Sequence, residues 1–132
     1  MANPNIVAVT SILGETTFLT PSATTAVVLL PNASSSGKVY KINQIVAANV
    51  DGSSAVNTSV DIYDDGDVGQ GSAPSGGTAY PIVSTISVPA DASLIVVDKT
   101  TAIYLMEDQS ITVTSGTASK ITYSISYEII SS

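Results

Sequence analysis

The chain has 132 residues, of which 44% are apolar and only 11% are charged, and its formal net charge at pH 7 is −7. This length suits one domain and is too short for two ordinary ones. Its four basic residues are scattered lysines, which excludes the basic cluster that binds nucleic acid, and no apolar run is long enough to cross a bilayer. We therefore expect a single domain that binds neither nucleic acid nor membranes.

The scarcity of charge is itself informative, because about a quarter of the residues in an ordinary soluble domain are charged. A chain with so few charges must cover its surface with Ser, Thr, Asn and Ala, or bury part of it against other subunits. The chain has no cysteine, so it has no disulfide framework. Its first residues lack a basic segment and a cleavage site, and we expect synthesis in the cytoplasm without a signal peptide.

The first predicted element covers residues 6–13, which are apolar on both alternating faces. This pattern predicts either a fully buried strand or an arm, residues 1–13, that lies on a neighbouring subunit. The predicted interface residues are Ile6, Val7, Val9, Ile12 and Leu13. Gly14 and Glu15 are expected to end this element, and a separate short strand is expected at 16–20.

The middle of the chain predicts a hairpin and then a long loop. Residues 39–50 form an apolar, β-branched stretch, Asp51-Gly52 is a turn signal, and 57–64 is the expected return strand of the hairpin. Residues 64–78 hold five of the nine glycines and form the longest irregular segment. This composition predicts an exposed Gly/Asp-rich loop over 64–79.

The C-terminal stretch 120–130 is the clearest structural signal. Ile121, Tyr123, Ile125, Tyr127 and Ile129 alternate with polar residues, as in a strand with one face on the core. A turn at 115–119 is expected to join it to the preceding strand as a hairpin. The opposite face is mostly Ser and Thr, so it is a candidate surface for assembly.

The strands recur with turns every eight to twelve residues, and prolines stand at the expected boundaries. The sequence predicts a single all-β domain over 1–132, an antiparallel β-sandwich that is jelly-roll-like, with about eight to ten short strands. The predicted strands are 6–13, 16–20, 25–30, 39–50, 57–64, 80–88, 92–97, 102–106, 111–114 and 120–130.

The residue types argue against catalysis, because His, Cys and Arg, on which acid–base and nucleophilic chemistry usually draws, are absent. We predict no cofactor. The one candidate metal site is the acidic group Asp61, Asp64, Asp65 and Asp67, whose spacing and nearby glycines resemble the start of a calcium loop. The favoured interpretation of these carboxylates is a solvated, turn-forming tip.

Several short segments, taken together, resemble a known group of proteins. They are 9–17, 38–43, 48–52, 60–63, 88–99, 102–105 and 125–129. The chain resembles small virion structural proteins, of the capsid decoration or cement type, encoded by tailed bacteriophages and notably by cyanophages. The segment after Tyr63 is longer here than in that group, because of the Gly-rich insertion at 65–78.

The resemblance implies a non-enzymatic particle component on the outer surface of the virion. Its expected partners are the major capsid protein or other virion proteins, and it is expected to form a homo-oligomer, with a trimer as the specific expectation. A tail, collar or fibre-adaptor subunit fits the sequence nearly as well. A further alternative is a receptor- or carbohydrate-binding module that uses loop 64–79, although the chain has no tryptophan for stacking on sugars.

Overall fold

A computed structural model describes residues 9–131. Its nine strands form two antiparallel sheets that pack face to face, which confirms the all-β sandwich. The strands are β1 Ser11–Leu19, β2 Val27–Asn32, β3 Lys38–Asn49, β4 Val56–Tyr63, β5 Ala79–Val88, β6 Ser93–Val97, β7 Ile103–Leu105, β8 Gln109–Ser115 and β9 Ile121–Ser131. A single 3-10 turn, Lys99–Thr101, precedes β7.

The topology is that of a jelly roll. The first sheet has the order β1-β9-β3-β6, with β7 also paired to β3, and the second sheet has the order β2-β8-β4-β5. The strand pairs β4–β5, β3–β6, β2–β8 and β1–β9 are nested in the sequence and alternate between the two sheets. A long hairpin wound around a sandwich has this order.

β9 lies inside the first sheet, between β1 and β3, as its alternating pattern predicts. Ile121, Tyr123 and Ile125 are fully buried between the sheets. They pack with Ile111 and Val113 of β8, which face them from the second sheet. Burying one such side chain stabilises the fold by about 1.5–3 kcal/mol, so this alternation accounts for much of the core.

The predicted hairpins are wrong. β3 and β4 belong to different sheets, and so do β8 and β9. β6 and β7 each pair with β3. The corner after β3 is held by the buried Asn49, whose amide donates to the carbonyls of Val88 at 2.9 Å and Ser54 at 3.0 Å. Its own side-chain oxygen accepts from the Asp51 N–H at 2.8 Å. The turn therefore carries the chain from one sheet to the other.

The predicted break at Gly14-Glu15 is also wrong, because β1 runs through both residues. Gly14 pairs with Glu128 and Glu15 with Tyr127, so the ladder to β9 is continuous. A glycine can adopt the extended conformation of a strand when hydrogen bonds to the neighbouring strand hold it there. The pairing with β9 therefore outweighs the preference of Gly14 for a turn. Residues 11–13 of the predicted arm thus belong to β1, whereas Ile6 and Val7 lie outside the described residues.

A β-bulge in β3 also changes which residues share a face. The register shifts between Ile42 and Gln44. Lys41 and Asn49, which strict alternation would place together, therefore point to opposite sides: Lys41 faces outward and Asn49 is buried.

Candidate functional site

Strand β1 presents three exposed apolar side chains on one strand of the first sheet, in which Ile95 of β6 is also exposed. Phe18 is 70% exposed, Ile12 57% and Leu13 55%. Ile12 and Leu13 were predicted as interface residues, and Val9, also predicted, is partly buried. Phe18 was missed, because only the pairing with β9 shows that it faces away from the core.

The pairing shows where these side chains point. Ile12 and Phe18 lie opposite Ile130 and Ser124 and face outward from the sandwich. Leu13 lies opposite Ile129 and points to the side on which the core lies, yet it is exposed. The second sheet therefore does not cover the first half of β1, and this part of the strand is accessible on both faces.

The edge of β1 differs from the other sheet edges. The edge of β2 is closed by the segment after Gly69: the Val28 N–H donates to the Ser72 carbonyl at 2.9 Å, and the Gly71 N–H donates to the Val28 carbonyl at 2.8 Å. The Gln70 side-chain amide donates to the Leu29 carbonyl at 2.9 Å. These bonds occupy groups that an edge strand would otherwise offer to another chain.

The edges at β5 and β6 are protected in other ways. β5 contains Pro81 and two register shifts, and Thr85 within it has a φ of 52°. β6 has only five residues. β1 has nine residues without a proline or a register shift in its pairing, and within residues 9–131 no strand pairs with its other edge. It is a long, regular edge with one charge, Glu15.

The outer face of the first sheet is nearly uncharged. One row crosses four strands through Phe18, Ser124, Val46 and Ile95. Beside it, Thr16 and Ser126 share a hydrogen bond of 2.9 Å between their hydroxyls. This face consists mainly of small polar and apolar side chains that need little desolvation.

The charged residues on this face have opposite signs and lie next to each other. On the described strands β1, β9, β3 and β6, the outward-facing charged residues are Lys41 and Glu128, which lie opposite each other. Glu128 also accepts a hydrogen bond of 2.8 Å from the Asn43 amide.

An open groove of about 560 Å³ lies beside this face, lined by Asn43, Gln44, Ser126 and the 3-10 turn. Its carboxylate, Asp98, accepts hydrogen bonds from the hydroxyl and the N–H of Thr100. These two hydrogen bonds hold the pKa of Asp98 below its usual value, and the bond from the Thr100 hydroxyl has the larger effect. This carboxylate caps the turn, and the groove offers amides and hydroxyls to a ligand.

The predicted acidic group is only partly assembled. Asp65 and Asp67 come together with Asp108, and one oxygen of each lies within 4.8 Å of the others. Asp61 lies on β4 between Thr112 and Pro81, outside this trio, and burial raises its pKa. Asp108 was missed because it follows β7, more than forty residues along the chain. Two end turns of the jelly roll bring it to Asp65.

Each carboxylate of the trio already has a structural role. Asp67 accepts from the Ser34 N–H at 2.8 Å, and Asp108 from the Gly66 N–H at 3.1 Å. Asp65 accepts from the Asp67 N–H at 3.0 Å. The trio has the oxygen donors that Ca²⁺ prefers, and in the arrangement described its oxygens hold the end of the sandwich together.

The loop over 64–78 is anchored to the second sheet, although most of its residues are exposed. The Tyr63 hydroxyl accepts from the Gly77 N–H at 2.9 Å, and the Ser110 hydroxyl donates to the Asp65 carbonyl at 2.9 Å. Gly66 is buried so tightly that a Cβ atom there would lie 2.0 Å from the Asn32 carbonyl oxygen. The loop is therefore fixed at its start, middle and end.

Two buried tyrosines have strongly shifted pKa values. Burial raises the pKa of Tyr123 to about 12, and its hydroxyl contacts the Thr58 hydroxyl and donates to the Thr114 carbonyl at 2.9 Å. Burial, followed by the nearby Glu15 carboxylate, raises the pKa of Tyr127 to about 12. Both phenols stay neutral at physiological pH, and that of Tyr123 joins the two sheets.

Comparison with known protein families and with curated proteins finds no match for this chain. Among the described residues, none of the helical structure is long and apolar enough to cross a membrane.

Proposed function

We propose that this protein is a non-enzymatic structural subunit that acts by binding other protein subunits. The more specific proposal is a capsid decoration protein of a tailed phage, bound to the outside of the shell, with the major capsid protein or another virion protein as partner. The observation that carries the proposal is the open edge of β1, with Ile12, Leu13 and Phe18 exposed beside it. The phage context comes from the resemblance of the sequence.

The physical basis is burial of apolar surface at many equivalent contacts. Removing apolar surface from water stabilises an interface by about 25 cal/mol per Å², so three partly exposed side chains contribute only a few kcal/mol per copy. A shell offers many copies of the same binding site. A homo-oligomer, for which we propose a trimer, binds several of these sites at once. Weak single contacts then add up to stable decoration and join neighbouring capsomers.

The test is binding to phage shells assembled without this protein, measured by co-sedimentation. A variant with Ile12, Leu13 and Phe18 replaced by Ser should lose at least about tenfold in affinity, as expected when buried apolar contacts are removed. The matched control replaces Val50, Ile86 and Met106 by Ser. These residues are also exposed apolar residues but lie away from β1, and the control should bind like the parent protein. Equal loss in both variants would contradict the assignment of β1.

A tail, collar or fibre-adaptor subunit would use the same edge against a different partner. Labelling the protein in intact particles and imaging them at subunit resolution separates these locations. Label on the head would support the decoration role. Label confined to the tail or collar would contradict that role and support the adaptor role.

The trio Asp65, Asp67 and Asp108 favours a second candidate, a receptor- or carbohydrate-binding module that uses loop 64–79 with Ca²⁺. In that case millimolar Ca²⁺ should raise the melting temperature of the parent protein. A variant with Asp67 and Asp108 replaced by Asn should not respond. A binding screen against glycans, with and without Ca²⁺, then tests the module itself.

A further inference from the structure

We propose that the open edge of β1 receives an extended strand from a partner protein, and that this strand carries a lysine or arginine opposite Glu15. The inference rests on the proposed function, since both place β1 in an interface. It adds the form of the partner segment and the charge that the site selects.

The need for a strand follows from the backbone. An edge strand leaves every second N–H and C=O group without a ladder partner, and an added strand is the structure that pairs with the whole row. The edge of β2 shows the contrast, because Gly71 and Ser72 of the same chain occupy its backbone groups. Among the described residues, β1 has no such segment along its outer edge.

The side chains define the sequence pattern of the guest strand. Ile12 and Phe18 lie on one face, six residues apart, with Gly14 and Thr16 between them. Apolar residues opposite Ile12 and Phe18 would cover both, and small or β-branched residues fit between. The guest strand therefore has two apolar residues that are six residues apart, like Ile12 and Phe18.

Charge disfavours a second copy of the chain as the guest. Glu15 is the midpoint of Ser11–Leu19, so full antiparallel pairing of two β1 strands would set Glu15 against Glu15 of the copy. Like charges directly opposite destabilise a strand pair, and each copy carries a further net negative charge. A basic residue at that position turns the repulsion into attraction. Glu15 thus acts against self-pairing and selects a basic guest strand.

The experiment uses the full-length protein and two labelled peptides. The first is Thr-Val-Thr-Thr-Lys-Thr-Thr-Val-Thr, whose symmetry presents the same side chains in parallel and antiparallel pairing, and the second has Glu in place of Lys. Fluorescence titration at low salt gives the affinities, and amide shifts in NMR spectra locate the contact. We expect the Lys peptide to bind about fivefold more tightly, the effect of exchanging a repulsive for an attractive cross-strand pair. The amide shifts should be concentrated in β1.

The variant Glu15→Gln should bind the two peptides equally, while the variant Glu128→Gln, which alters a carboxylate inside the same sheet, should keep the preference. Equal affinities for the parent protein, or shifts centred elsewhere, would overturn the proposal. Stable dimers of Glu15→Gln in sedimentation would identify a second copy as the guest and overturn it too. So would peptide binding that appears only after residues 2–8 are deleted, since the guest would then be the chain itself.

These results are independent of shell binding. Shell binding without a peptide preference would retain the proposed function and remove the strand addition. A peptide preference at β1 without shell binding would retain the strand addition and remove the decoration role.

Discussion

The two sheets share one core but differ in how their edges and outer surfaces are closed. The second sheet is covered at one end by the loop over 64–78, and residues of that loop occupy the edge of β2. Within the described residues, the first sheet keeps an open edge at β1 and an outer face that is exposed along that strand, although Val39 and Ile130 near one end of the face are buried. The same type of strand, apolar and poor in charge, is protected in one sheet and accessible in the other. The difference gives the first sheet the edge on which the proposed interaction depends.

The largest test of this contrast compares two glycines, one in each region. Replacing Gly66 by Ala places a Cβ atom against the backbone of Asn32, and we expect a loss of about 3 kcal/mol or more in the free energy of unfolding. Replacing Gly14 by Ala in β1 meets no atom within 4 Å and should change that free energy by less than about 0.5 kcal/mol. Denaturant unfolding measures both. Similar losses of unfolding free energy in the two variants would contradict the view that the region around Gly66 is tightly packed and the region around Gly14 is open.

A second test concerns the bond that joins the sheets. Replacing Tyr123 by Phe leaves the buried Thr58 hydroxyl and the Thr114 carbonyl without this partner, at a cost of about 1–3 kcal/mol in the free energy of unfolding. Tyr104, which is half exposed on the outer face, is the matched control, and Tyr104→Phe should be close to neutral. A neutral Tyr123→Phe would show that packing alone holds the sheets together.

The same tyrosine predicts a loss of stability at alkaline pH. Its pKa is about 12 in the folded protein and about 10 when exposed, so the folded state holds the proton more tightly. Its contribution is complete below pH 10 and is lost as the pH rises towards 12. The free energy of unfolding should fall over this range, and it should fall less in Tyr123→Phe. An equal fall in both proteins would assign the effect to other groups.

The smallest effect is expected at the closed edge of β2. Replacing Gln70 by Ala removes the amide that donates to the Leu29 carbonyl and to the Thr17 hydroxyl, for a loss of about 0.5–1.5 kcal/mol. Loosening this edge should also increase concentration-dependent association, measured by light scattering. Ser75→Ala in the same loop serves as the control. A Gln70→Ala protein that stays as monodisperse as that control would show that Gly71 and Ser72 suffice to close the edge.

Local patterns predicted the strands well and their partners poorly. The alternation of β9 identified the residues that line the core, because burial on one face of a strand leaves a two-residue period in the sequence. The turn signal at Asp51-Gly52 marked a reversal of the chain correctly. It predicted the wrong partner for β3, because a turn does not specify whether the next strand joins the same sheet or crosses to the other.

The candidate site was predictable to a similar degree. The exposure of Ile12 and Leu13 could be predicted, because apolar residues on both faces of the first strand are difficult to bury within one sandwich. Phe18 and Asp108 were not found. The exposure of Phe18 depends on the register of β1 against β9, and the position of Asp108 beside Asp65 depends on two turns meeting at one end.

The sequence by itself determined an all-β domain with a low-charge surface, since composition and two-residue periodicity follow directly from which side chains meet water. Only the tertiary structure decided the nested order of the strands, the anchoring of the loop over 64–78 and the openness of β1. These features depend on hydrogen bonds between residues far apart in the chain. No local pattern records which backbone groups such bonds will occupy and which they will leave open to a partner.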